Sequence, residues 1–211
     1  MVLRNEWQRF LQWWLLFLLM LVPLLWITYQ AVSATLGADP AKYIVDFLGE
    51  WGLRFLLLTL CCSTLKRVFR FGYLARYRRM IGMYSLFYIT LHMLGVATFI
   101  LGWRVDLLIR ELTDRPYIII GMVAFVLLLP LGVTSTKGWQ KRLGRTWIKL
   151  HRLIYPAAIL GVLHLIFLIR ASYFEAAVYS MLLAMLLLER VLNVLSAAKK
   201  RKSREMNRAM S

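Results

Sequence analysis

Acidic residues, cysteine and histidine are all scarce in this chain, and each scarcity closes off a class of chemistry. Of 211 residues ten are Asp or Glu, against 27 Lys or Arg. No acid lies deep in an apolar run, which counts against a transporter that moves ions along buried carboxylates. The two cysteines, Cys61 and Cys62, stand side by side in an apolar stretch. They have neither the CxxC spacing of a redox pair nor that of a zinc site, and they read as small packing residues. No GxGxxG or P-loop occurs at a strand-to-helix junction, so no nucleotide site is expected. No internal repeat is evident, and no connection between apolar runs is long enough to hold a soluble catalytic domain.

Hydrocarbon is what the chain has in abundance. Hydrophobic residues make up 61% and charged residues 18%, and the mean hydropathy is +0.64, outside the usual range of a soluble globular domain. Six apolar segments stand out, at Phe10–Tyr29, Ile44–Leu65, Met80–Leu101, Pro116–Thr136, Leu150–Ile169 and Tyr173–Leu192. Each is close to the roughly 20 residues that a membrane span requires. None alternates like a barrel strand, and a backbone in lipid must satisfy its own hydrogen bonds, so all six are expected to be helices. The expected fold is all-α: an integral membrane bundle of six transmembrane helices, one domain over residues 1–211 with a basic tail at 196–211. Arg4, Glu6 and Arg9 precede the first run and no small-residue cleavage site follows it, so it reads as a retained span.

The formal net charge of +17 would mark a nucleic-acid binder if it formed a patch. Instead the basic residues cluster between apolar runs, where they set topology. One side collects Arg4 and Arg9, then Lys66, Arg67, Arg70, Arg76, Arg78 and Arg79, then Lys137, Lys141, Arg142, Arg145, Lys149 and Arg152. With Arg190, Lys199, Lys200, Arg201, Lys202, Arg204 and Arg208 that makes 21 of the 27. The other six, Lys42, Arg54, Arg104, Arg110, Arg115 and Arg170, are balanced by seven acids that include Asp39, Asp106 and Asp114. Both termini are therefore expected in the cytoplasm. The run Lys199–Lys202 anchors that topology and favours anionic membrane lipid, and no nucleic-acid partner is expected.

All three histidines, His92, His151 and His164, fall inside apolar segments. A lone histidine in a membrane is readily explained by a hydrogen bond to a neighbouring helix. Three of three point to function, and neutral imidazole is a strong ligand for heme iron. Depth sharpens this. His92 lies 13 residues beyond Arg79, and His164 lies 13 residues beyond His151. At about 1.5 Å per residue each interval spans about 20 Å, and both helices run outward, so His92 and His164 should reach one level in the outer half of the membrane. On an ideal helix His151 and His164 would be about 140° apart. A kink at Pro156 could bring them to a common side. At the level of His151 the third helix offers Arg78 and Arg79, which suit carboxylates such as heme propionates but serve equally as topology charges. Met80 and Met83 are near enough to consider as weak axial ligands, although helical methionines are more often packing.

The stretch RRMIGMYSLFYITLH ending at His92, the segment TSTKGWQKRLGRTWIKLHRLIY around His151, LGADP at Leu36 to Pro40 and RPY at Arg115 to Tyr117 together resemble the MsrQ family, also called YedZ. The resemblance runs over essentially the whole chain. It implies a ferric-reductase-like transmembrane domain in a bacterial inner membrane, with His92, His151 and His164 ligating heme b, one or two per chain. It also associates FMN with the family. As partners it implies a periplasmic molybdopterin methionine sulfoxide reductase as electron acceptor, and the quinol pool or a cytoplasmic flavin reductase as donor. Relative to ferric reductases and NADPH oxidases the chain lacks a second histidine on the third helix and a flavin and nucleotide domain. The expected role is thus a b-type cytochrome subunit that passes electrons for repair of oxidised proteins, without being the catalytic subunit. A free-standing ferric or quinone reductase and a transporter with buried histidines are the alternatives.

Overall fold

A computed structural model describes residues 2–68, 74–168 and 173–209. Arg70, Ile169, Arg170 and the last two residues of the basic tail lie outside the described residues. The chain runs through α1 (Val2–Val32), α2 (Pro40–Val68), α3 (Leu74–Gly95) with a π-helical turn (Val96–Ile100), α4 (Val105–Asp114) and α5 (Pro116–Val133). Then come α6 (Lys137–Leu143), α7 (Arg145–Leu150), a 3-10 turn (His151–Leu153), α8 (Ile154–Leu168) and α9 (Phe174–Ala209). There is no strand among the described residues.

Five stretches are helical, long and apolar enough to cross a membrane: Glu6–Val32, Arg76–Ile100, Pro116–Val133, Arg145–Leu168 and Phe174–Lys199. The remaining expected segment, Ile44–Leu65, lies within α2, a 29-residue helix. Its apolar run is diluted by Glu50 and Arg54, which pair with each other at 2.8 Å. The Arg54 Nε also donates to the Tyr179 hydroxyl of α9 at 2.8 Å, so the cation is held between helices. Large apolar side chains face outward, with Leu15 67%, Leu25 65% and Met181 67% exposed. That is the pattern of a multi-pass protein whose solvent is lipid.

Local signals set several ends. Pro116 stands in the first turn of α5, where its missing N–H costs nothing. The Thr136 side chain caps α6 by accepting from the Trp139 N–H. Gly144, at φ 51°, supplies the left-handed residue that separates α6 from α7. Past Leu195 the backbone of the basic stretch continues as α9 to Ala209.

Two antiparallel helix pairs make the centre. Along α2 and α3, Val45 lies against Gly95 at one end and Thr59 against Gly82 at the other, and the Ser85 hydroxyl donates to the Gly52 carbonyl at 2.8 Å between them. Along α5 and α8, Gly121 lies against His164, while beyond the far end of α5 the Trp147 Nε1–H of α7 donates to the Thr134 carbonyl at 2.9 Å. Leu86 of α3 sits against Gly132 of α5 and joins the pairs. Leu57 and Leu60 of α2 and Ala157 and Ala158 of α8 are buried in the shared core. Small residues at this contact let the backbones approach, which matters in lipid, where burial alone supplies no drive. Cys61 and Cys62 are unbridged and Cys62 is buried, as packing residues would be.

The first helix is clamped through its own defect. Pro23 lies inside α1, where it removes an N–H and pushes against the preceding turn. The Tyr88 hydroxyl of α3 fills the break: it donates to the Met20 carbonyl at 2.9 Å and accepts the Leu24 N–H at 3.0 Å. Tyr88 is fully buried. A neighbouring helix that satisfies freed backbone groups is what makes such a proline tolerable in lipid. Tyr88→Phe therefore strands a buried donor and acceptor, and should cost about 1–2 kcal/mol. In a detergent thermal melt its midpoint should fall clearly below wild type, whereas an unchanged midpoint would mean that α1 is held by other contacts.

Candidate functional site

The three histidines divide into a facing pair and a single ring. His92, near the end of α3, and His164, in α8, come together with ring centres 6.4 Å apart and planes inclined by 78°. Each is tethered from behind by its neighbour in the antiparallel pair. The His92 Nδ1 is 2.8 Å from the Val45 carbonyl of α2, and the His164 Nδ1 is 2.7 Å from the Tyr117 carbonyl of α5. A carbonyl oxygen can only accept, so each Nδ1 carries the hydrogen and each neutral ring keeps the Nε2 lone pair for a ligand bond. Neither Nε2 forms a hydrogen bond among the described residues.

The same pair passes a test of size. Two imidazole–metal bonds of about 2 Å, plus the reach from each ring centre to its nitrogen, place ring centres about 6 Å apart on either side of one iron. The observed separation is of that size without rearrangement. Both rings also lie where a side chain is missing. A Cβ on Gly49 would come within 2.9 Å of the His92 Nδ1, and one on Gly121 within 2.8 Å of the His164 Nδ1. The residues present therefore fit an axially ligated heme.

His151 is elsewhere. It sits in the 3-10 turn ahead of α8, stacked on Trp147 at 3.9 Å, with its Nδ1 3.2 Å from the Trp147 carbonyl. Its Nε2 is buried and has no hydrogen-bond partner among the described residues. The ring lines a cavity of about 300 Å³ that also meets Arg76, Arg78, Arg79, Met83 and Thr59. Arg78 and Arg79 are thus brought together with His151, and Arg79 also donates to the Gln140 side chain at 2.6 Å. Met83 shares the cavity, whereas Met80 packs into the cluster around Tyr84 and Tyr88. The ideal-helix angle of about 140° does not apply, because the 3-10 turn resets the rotation between His151 and α8. Pro156 falls in the first turn of α8, so it follows the break and does not kink a continuous helix.

Reading the residues alone passed over Val45, Gly49, Tyr117, Gly121 and Trp147. One signal was available. The accepting carbonyl precedes its histidine by 47 residues in both pairs, and a glycine follows that carbonyl by four residues each time, a local recurrence too sparse to register as a sequence repeat.

Residues 48–162 match a family model described as ferric reductase like transmembrane component. That stretch includes His92 and His151 and ends two residues before His164. The chain is 42% identical over 172 residues to the protein-methionine-sulfoxide reductase heme-binding subunit MsrQ of Xanthomonas oryzae pv. oryzae (strain MAFF 311018), covering 82% of this chain and 79% of the relative. Against the protein of the same description in Rhodospirillum rubrum it is 39% identical over 176 residues, 83% of this chain and 85% of the relative. No solved structure matches. Relatives this similar over four-fifths of the chain, together with the match across its central helices, make it a multi-pass membrane protein of the MsrQ family, within the ferric-reductase-like transmembrane group.

Proposed function

We propose that this chain is a heme-binding electron-transfer subunit that carries electrons across a bacterial inner membrane to a periplasmic methionine sulfoxide reductase. The observation that carries the reading is the facing imidazole pair, 6.4 Å apart, with both Nδ1 atoms engaged from behind. Heme b held by His92 and His164 supplies a one-electron carrier at the outer level of the bundle. The protein's part is to fix the two nitrogens, keep water out with the apolar walls of α2, α3, α5 and α8, and dispense with any general acid or nucleophile. The names borne by the relatives support a methionine sulfoxide reductase as the partner. The acceptor is a periplasmic molybdopterin enzyme, and the donor is quinol or a cytoplasmic flavin reductase. FMN is tested by flavin released on denaturing the purified chain.

His151 holds a second heme, with Arg78 and Arg79 facing carboxylates at the same cavity. Its buried Nε2, without a hydrogen-bond partner among the described residues, supports this reading, since a buried polar atom calls for one. The bundle has six spans, α2 included, and both termini are cytoplasmic, in keeping with 21 of 27 basic residues on one side.

Three measurements test this. His92→Ala and His164→Ala should each remove the same low-spin heme from the purified protein's optical spectrum. Wild-type spectra and full heme content in both variants would refute the pairing. In His151→Ala the outer heme should survive, with total heme reduced and reduction by an inner donor slowed. Normal heme content, spin state and reduction rate together would make His151 a helix-interface residue only. For topology, a reporter fused at the carboxyl end should be active only when it works in the cytoplasm. Activity confined to a periplasmic reporter would invert the bundle.

A further inference from the structure

We propose that Gly49 and Gly121 are positioning residues for the two imidazoles. Each opens the helix carbonyl four residues before it, Val45 or Tyr117, to a second hydrogen bond from an Nδ1–H. The two seats together hold the rings near perpendicular and raise the basicity of both Nε2 atoms. This rests on the reading of His92 and His164 as ligands of one heme.

The seat follows from helix geometry. In an α-helix the carbonyl of residue i already accepts the N–H of residue i+4, which leaves one lone pair facing outward. Side chains lean toward the helix N-terminus, so the Cβ of residue i+4 overhangs that lone pair. Removing the Cβ uncovers it. Glycine stands at i+4 in both cases, and a Cβ there would lie 2.9 Å from the His92 Nδ1 at Gly49 and 2.8 Å from the His164 Nδ1 at Gly121. The carbon next to Nδ1 would be as close, at 3.1 and 2.9 Å. Neither ring could keep its carbonyl bond with alanine in place.

Recurrence argues for a device and against accident. Carbonyl, glycine four residues on and histidine 47 residues on occur in two separate helix pairs, with bonds of 2.8 and 2.7 Å. A glycine inside a helix costs about 1 kcal/mol relative to alanine, so two in equivalent places are offset by something. Gly161 of α8 shows the ordinary case, since a Cβ there would meet only the Leu53 side chain at 3.4 Å, a normal contact.

Two effects on a bound iron follow. An Nδ1–H donated to a carbonyl pushes electron density to Nε2, which strengthens the ligand and favours ferric over ferrous iron. The 78° between the rings keeps the two iron orbitals that interact with them nearly equal in energy. Ferric iron so held gives a strongly anisotropic low-spin EPR signal with one large g value, where parallel rings give a rhombic one.

The test uses the purified, heme-loaded full chain and reads heme content, the ferric EPR signal and the midpoint potential. Gly49→Ala and Gly121→Ala should each move the large g value toward a rhombic or high-spin signal and raise the potential, while Gly161→Ala changes neither. Because either alanine could expel the heme, a fourth variant replaces Ile118 with its α-hydroxy acid. The Tyr117 carbonyl then becomes an ester, a weaker acceptor, and the seat gains no atom. This variant should keep the EPR signal and lower the ferric preference by up to tenfold, which is a rise of about 59 mV. Alanine variants that keep heme with wild-type signal and potential would overturn the proposal, as would an ester variant with unchanged potential. Failure of the underlying reading looks different: the heme of the parent protein would then be indifferent to His92→Ala.

Discussion

Two carbonyl oxygens, those of Val45 and Tyr117, govern the rest of the site. Each accepts from one imidazole, at 2.8 and 2.7 Å, and so decides which ring nitrogen carries the hydrogen and which is left with a lone pair. Without those bonds a buried imidazole in lipid would turn until it found another partner, because an unpaired polar group there is costly. The carbonyls belong to α2 and α5, the histidines to α3 and α8. The arrangement of the two rings therefore resides in the pairing of helices, and neither member of a pair specifies it alone.

That division explains what could be read in the amino-acid sequence. Depth is a property of one helix, and counting from Arg79 and from His151 placed His92 and His164 at one level, where the rings indeed meet. Which side chain stands behind each ring is a property of two helices at once, and so Gly49 and Gly121 stayed hidden among the 12 glycines. The Ile44–Leu65 segment shows a different limit. Glu50 and Arg54 weaken its apolar signal, and only the neighbouring helix, through Tyr179, shows where that charge is satisfied. Around His151, helical periodicity does not set the direction of the ring, because a 3-10 turn interrupts it, and no residue type marks such a turn as Gly144 marks the preceding reversal.

The two sites differ in kind. His92 and His164 form a closed set in which each ring has a donor bond behind it and an imidazole opposite. His151 has a stacked tryptophan behind it, arginines across the cavity and no second histidine. Cationic walls around a cavity stabilise negative charge within it, and they also disfavour a positive iron centre. Two hemes held in these places, as proposed, would therefore differ in potential, with the one beside the arginines made easier to reduce by their charge. The stronger donor set of the facing pair acts in the opposite direction on the heme proposed there.

Aim is the remaining requirement, and α3 meets it by being held on two flanks. Toward α1, Tyr84 donates to the Phe17 carbonyl at 2.9 Å and Tyr88 bridges Met20 and Leu24. Toward α2, Ser85 donates to the Gly52 carbonyl and His92 to that of Val45. Residues 84 and 88 are one turn apart, and 85 and 92 two turns apart, so each flank is pinned at two heights. A helix fixed this way can neither roll nor slide without breaking several buried side-chain bonds to backbone. Rolling would sweep His92 away from His164, so the contacts that settle the proline break in α1 also keep the imidazole pair in line. A chain with few polar residues to spend in lipid has placed them where they fix the rotation of the helix that carries His92.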